Sequence, residues 1–138
     1  MSSSAPREVV VAGPATAFVN QVEIGPHGFT ADEPPDHGGG DAGPAPFELL
    51  CAALGACTSM TLSIYARTKG IPLEAVAVRL TREPVKEPGQ RGNRVTRVIE
   101  LTGPALTDAQ RQRLLEIANK CPVHKALAEG VDVVSTLA

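Results

Sequence analysis

Between Glu48 and Arg67 the chain runs for 18 residues, 49–66, without a charged side chain. That length just meets the minimum for a helix crossing a bilayer. The stretch also holds Thr58, Ser59, Thr61, Ser63 and many alanines, so it is only weakly hydrophobic, and without it the flanking strand patterns would have no core to pack on. A helix apolar nearly all round belongs in the middle of a domain, so the expectation is a buried central helix and no membrane partner. Pro44 and Pro46 suit its start, and Gly70 followed by Pro72 suits its end.

Strand patterns lie on both sides of this helix. Residues 8–12, 15–24 and 29–33 read as strands, the second with Phe18, Val22 and Ile24 on one face and Gln21 and Glu23 on the other; Gly13-Pro14 and Gly25-Pro26-His27-Gly28 punctuate them. From Pro34 to Pro46, eight of 13 residues are Gly or Pro, which predicts an irregular, constrained loop of a length often used for function. After the helix, 75–82 and 94–101 alternate as half-buried strands joined by a long hairpin loop. Arg79, Arg82, Lys86, Arg91, Arg94 and Arg97 cluster there, interleaved with Glu83, Glu87 and Glu100, and read as a solvated strand face. Thr107 and Gln110 form a capping-box signature for a helix running to about Lys120, which Pro122 breaks. A short helix over 123–128 and a last strand over 131–137 complete the pattern.

The 138 residues suit one domain, with residues 1–7 expected to be a flexible N-terminus. Thirteen Lys and Arg stand against 15 Asp and Glu, with no Trp, one Tyr and three Phe. That balance supplies neither the basic field nor the stacking aromatics of a nucleic-acid binder. The start, Met-Ser-Ser-Ser-Ala-Pro-Arg, shows no basic cluster followed by an apolar core, so a cytoplasmic chain is expected.

Three cysteines, an odd number, argue against a disulfide framework and for thiols that are either buried filler or chemically used. Cys51 and Cys57, six residues apart on the central helix, fall on different faces and are poor partners for each other. Cys121 stands at a helix break with Pro122 at the first position of the next turn, where free backbone N–H groups favour a thiolate. Cys121-Pro122-Val123-His124 allows two readings: a metal site, weak because no second close ligand pair exists, or a redox pair in which Cys57 reacts and Cys121 resolves. Spacing alone leaves both open.

The run Gly38-Gly39-Gly40-Asp41-Ala42-Gly43-Pro44-Ala45-Pro46-Phe47-Glu48-Leu49-Leu50, then Ala53-Leu54-Gly55-Ala56-Cys57-Thr58-Ser59-Met60-Thr61-Leu62, Tyr65, Lys69-Gly70 and finally Cys121-Pro122-Val123-His124 closely resemble the OsmC/Ohr family of osmotically inducible and organic hydroperoxide resistance proteins. The resemblance covers about residues 18–137. It implies an α+β fold in which antiparallel sheets wrap two central helices in an intertwined homodimer. It also implies thiol-dependent reduction of organic hydroperoxides, with no cofactor, no metal, and an external thiol or dithiol as reductant.

Carried over residue by residue, the resemblance makes Cys57 the peroxidatic cysteine, Cys121 the resolving cysteine, and Glu48 the helix-start glutamate that pairs with an arginine beside the reactive thiol. The chemistry is coherent: burial raises a thiol's pKa, so a cation must hold the thiolate and a carboxylate can hold the cation. The thiolate cleaves the peroxide O–O bond to give sulfenic acid and alcohol, and the second cysteine condenses with it to a disulfide. This chain departs from the family at the arginine. Where similar relatives carry a Gly-Arg-His turn it reads Gly25-Pro26-His27, and no arginine occurs between Arg7 and Arg67. Arg67 lies ten residues beyond Cys57, about 15 Å along the helix axis. His27 or a basic residue of a partner chain is the expected substitute. The alternative reading is a ligand-binding or redox-responsive relative with little peroxidase turnover.

Overall fold

The computed structural model describes residues 5–138, so the N-terminal stretch 1–7 falls partly outside the described residues. The chain divides into two compact units, Met1–Leu50 and Cys51–Ala138. The fold is α+β, with two small antiparallel sheets and three α-helices among the described residues.

In the first unit, strands β1 (Val9–Ala12), β2 (Asn20–Ile24) and β3 (His27–Ala31) pair in the order β1-β2-β3. Ile24 pairs with His27 across a two-residue loop. Gly25 sits there at φ +57°, a region glycine enters at little cost, and Pro26 follows it. Pairing therefore resumes at His27, earlier than the sequence pattern indicates. β2 begins at Asn20 rather than at residue 15, because 15–18 form turns and the Asn20 side chain donates to the Phe18 carbonyl at 2.8 Å.

The Gly/Pro loop after β3 is stapled by one buried carboxylate. Asp32 accepts N–H bonds from Glu33 (2.8 Å), Gly40 (3.1 Å) and Ala42 (3.1 Å). The amides of Ala42 and Glu33, with Gly40 adding to them, hold its carboxyl below the usual value against the opposing effect of burial. Gly43 lies so close to the Thr30 carbonyl that a Cβ there would collide with it.

Helix α1 (Pro46–Lys69) begins in the first unit and continues into the second. Pro46 occupies its first position, and the Glu48 carboxylate accepts the Ala45 N–H at 2.8 Å, satisfying one of the donors a helix start leaves open. Gly70 at φ +66° ends it.

In the second unit, β4 (Ala75–Pro84) and β5 (Asn93–Thr102) pair in register from Ala75↔Thr102 to Pro84↔Asn93. Their inward rows are Val76, Val78, Leu80 and Val95, Arg97, Ile99, Leu101, all half-buried. α2 (Asp108–Ala118) carries the reciprocal Thr107–Gln110 capping box, and α3 (Pro122–Glu129) starts with Cys121 as its N-cap. Leu62 of α1, Leu106, and Leu114, Ile117 and Ala118 of α2 form the core, with Tyr65, Ile71, Leu73, Val76, Ile99 and Leu101 packed around it. Burial of each leucine here contributes about 1.5–3 kcal/mol. Gly55 is buried against β4, where a Cβ would stand 2.8 Å from Leu80 Cδ1.

Two expectations are corrected. α1 is not buried all round: Leu54, Gly55, Thr58, Leu62 and Ala66 form one buried stripe, while Met60 and Ile64 are 64% and 56% exposed. Within one chain, the packed layers cover a single face of the helix. By length and composition alone α1 would suffice to cross a membrane. The last strand is also absent: residues 131–138 have no regular structure, and Val131, Val133, Val134 and Leu137 are exposed. An alternating apolar pattern becomes a strand only where a neighbouring strand takes up its backbone N–H and C=O groups.

Candidate active site

Sixty-four positions separate Cys57 from Cys121, yet within the second unit the two thiols lie near enough to influence each other's ionisation. Cys57 projects from the middle of α1, half-buried, with Sγ 4.0 Å from Thr61 Oγ1. Cys121 is fully buried. Its place in the chain explains its surroundings. Pro122 has no N–H, and the first backbone bond of α3 is Lys125 N–H to the Cys121 carbonyl. The Val123 and His124 amides are therefore left free to point at sulfur.

Arg97 completes the site. It lies opposite Leu80 in the β4–β5 register, on the inward row, and its guanidinium reaches α1 and the C-terminal end of α2. Nη1 donates to Thr58 Oγ1 (3.0 Å) and the Ala118 carbonyl (3.3 Å), and Nη2 donates to Asn119 Oδ1 (3.1 Å). Thr58 is fully buried and in turn donates to the Leu54 carbonyl at 2.7 Å. The expectation that the arginine cluster is a solvated face is thus corrected for Arg97. It holds for Arg79, which is exposed and pairs with Glu100 at 2.8 Å, and for Arg94, 3.7 Å from Glu83. The signal was present in the sequence: Arg97 shares the parity of Val95, Ile99 and Leu101, and alternate residues of a strand share a face.

The two thiols respond oppositely to this setting. Burial pushes the Cys57 thiol up, its hydrogen bond to Cys121 adds to that, and the Val123 amide and Thr61 only partly offset both. For Cys121, burial also pushes upward but is outweighed, so the thiol falls below its ordinary value. Cys57 and the His124 and Val123 amides together favour its thiolate. Burial, reinforced by the Arg97 charge, draws the His124 imidazole toward its neutral form. The arrangement can hold one negative charge and one proton between two sulfurs and can close to a disulfide.

The remaining sequence-derived residues fall elsewhere. Glu48 lies in the first turn of α1 bound to the Ala45 amide, and His27 is exposed at the start of β3; both belong to the first unit. Cys51 lies one and a half turns before Cys57 on α1. Among the described residues, no group of three or more His, Cys, Asp and Glu side chains converges as a metal site would require.

A family model described as OsmC-like protein matches residues 38–136. Among solved structures, an OsmC-like protein from Mycoplasma pneumoniae superposes with a TM-score of 0.74 at 20% identity, covering 90% of this chain and 88% of that one. An organic hydroperoxide resistance protein OsmC from Legionella pneumophila gives 0.66 at 19% identity, covering 95% of each chain. The organic hydroperoxide resistance protein OhrB of Bacillus subtilis gives 0.65 at 20%, covering 93% of this chain and 94% of that one. No curated protein sequence matches this chain.

Proposed function

Because this chain belongs to the OsmC-like protein family, we propose that it is a thiol-dependent peroxidase that reduces organic hydroperoxides through Cys57 and Cys121. The observation that carries this reading is the meeting of those two thiols beside the free amides of α3. Cys57, the accessible member, attacks the peroxide as thiolate. The O–O bond breaks, the alkoxide takes a proton and leaves as alcohol, and Cys57 becomes a sulfenic acid. The Cys121 thiolate then attacks the Cys57 sulfur and displaces hydroxide, forming a disulfide that an external thiol or dithiol reduces. No cofactor or metal takes part.

The working form is an intertwined homodimer of single-domain chains, cytoplasmic, engaging neither membrane nor nucleic acid. Exposed Met60 and Ile64 on α1 and the exposed valines of 131–138 supply apolar surface for a second copy. Glu48 remains a proposed site residue, as the carboxylate at the start of the helix that carries Cys57.

A second reading, a redox-responsive protein with little turnover, is favoured by the upward push on Cys57 and by Pro26 at the family's arginine position. Consumption of cumene hydroperoxide in the presence of a dithiol separates the two. Catalytic consumption that Cys57→Ser abolishes supports the peroxidase. A single equivalent consumed, with disulfide formed but no turnover, supports the second reading.

A further inference from the structure

We propose that Arg97 is a positioning residue whose guanidinium clamps α1 to the end of α2 and so holds Cys57 and Cys121 in the relative placement from which they close to a disulfide. The inference rests on the thiol-pair reading above and goes beyond it by naming what sets the geometry of the pair.

A short chain of hydrogen bonds carries it. On one side, Arg97 Nη1 donates to the Thr58 hydroxyl at 3.0 Å, and Thr58 is the residue next to Cys57 on α1. On the other side, the same nitrogen donates to the Ala118 carbonyl at 3.3 Å, and Nη2 donates to Asn119 Oδ1 at 3.1 Å. The Ala118 carbonyl also accepts the Cys121 N–H at 3.4 Å. One guanidinium therefore stands one residue from Cys57 and one shared acceptor from the backbone of Cys121. Neither end is slack. Thr58 is fully buried with its hydroxyl proton committed to the Leu54 carbonyl, and Ala118 and Cys121 are fully buried as well.

Arginine is an unexpected choice at this point of the strand. Val95, Ile99 and Leu101 share the inward row with it, and the half-buried guanidinium has only neutral hydrogen-bond partners, a hydroxyl, a backbone carbonyl and an amide oxygen. Exchanging a buried charge for a well-packed apolar group is often neutral or stabilising, so stability does not account for it. A rigid planar fork, however, fixes a hydroxyl on one helix against two oxygens at the end of another, which neither an apolar side chain nor a single ammonium can do. The positive charge also suits the C-terminal end of α2. In the step served, the Cys57 sulfenic acid and the Cys121 thiol give a disulfide and water; the sulfenic sulfur is reduced and the Cys121 sulfur oxidised. A pair held in place closes more completely than a loose one, because closure is then intramolecular at high effective concentration.

The test is the equilibrium of the Cys57–Cys121 disulfide with dithiothreitol in Cys51→Ser protein, read by mass spectrometry after acid quench and alkylation. Disulfide and dithiol exchange there for two protein thiols and oxidised dithiothreitol. No peroxide and no turnover are needed, so the test fails separately from the peroxidase reading. Adding Arg97→Met should shift the equilibrium toward the reduced pair by about tenfold or more, about 30 mV for this two-electron couple. Arg97→Lys, which keeps the charge and loses the fork, should fall between that variant and the parent. Asn119→Ala, which removes one of the three ties, should shift the equilibrium the same way by less. Leu73→Ala, which costs core packing and leaves all three ties, should lose thermal stability with the equilibrium unmoved. An unchanged equilibrium in folded Arg97→Met, or an equal shift in Leu73→Ala, overturns the proposal. If Arg97→Met fails to fold, the Arg97→Lys and Asn119→Ala values decide. A parent that forms no Cys57–Cys121 disulfide even with diamide overturns the thiol-pair reading and the proposal with it.

Discussion

Replacing Met60 and Ile64 together by glutamate is the sharpest perturbation of the proposed dimer. Both lie on the face of α1 that the chain's own core leaves uncovered, 64% and 56% exposed, one turn apart and in line with Ala53 and Ala56. Full burial of such a side chain is worth about 1.5–3 kcal/mol, so the half still exposed offers about 1–2 kcal/mol on pairing with a partner. A two-fold interface counts each residue twice, which places at least about 4 kcal/mol at stake, roughly a thousandfold in Kd. Sedimentation at micromolar concentration should show a wild-type dimer and a Met60→Glu/Ile64→Glu monomer. The variant should keep its helical circular dichroism, because neither residue contributes to the buried core. A wild-type monomer at that concentration, or a variant dimer of undiminished affinity, would refute the reasoning.

Leu114→Ala, at a fully buried core position, should lower stability to urea by about 2–5 kcal/mol; a loss below half a kcal/mol would mean that the α1–α2 core is misread. Asp32 has a folded-state pKa below its ordinary 3.8, so its contribution is present above that value and lost as pH falls through the folded pKa. Asp32→Asn should thus show a smaller decline of Tm on acidification than wild type, and an equal decline would remove Asp32 from the account of the loop. One equivalent of organic hydroperoxide should join Cys57 to Cys121 within a chain and leave Cys51 free by peptide mapping. A Cys51 crosslink as the main product would contradict the site.

Features encoded by local chemistry were legible from the sequence. The Thr107–Gln110 box and the Pro122 helix start appear where the residues place them, because caps are settled by neighbours within one turn. The β4–β5 pair was likewise readable from its period of two. What escaped depends on distant partners. Arg97 was grouped with its charged neighbours although its parity is that of Ile99, since charge count conceals the face a side chain takes. Gly55 is buried under Leu80 of the same chain, a contact that depends on a strand distant in sequence. The pattern over 131–137 carries apolar alternation but no strand, because pairing is a property of two segments and only one was visible.

The β4–β5 ribbon bears on how the second unit opens. A two-stranded sheet is marginal in water by itself, so the ribbon persists where helices cover it. That cover is uneven along its length. Val76, Ile99 and Leu101 pack on the core near the Ala75–Thr102 end, while Arg82, Glu83, Pro84, Asn93 and Arg94 at the other end are exposed. Native-state amide exchange should therefore be graded along one ladder, slow beside the helices and fast toward the hairpin loop. Arg97 lies between those ends, at the point where fraying from the tip would first reach the cysteine pair.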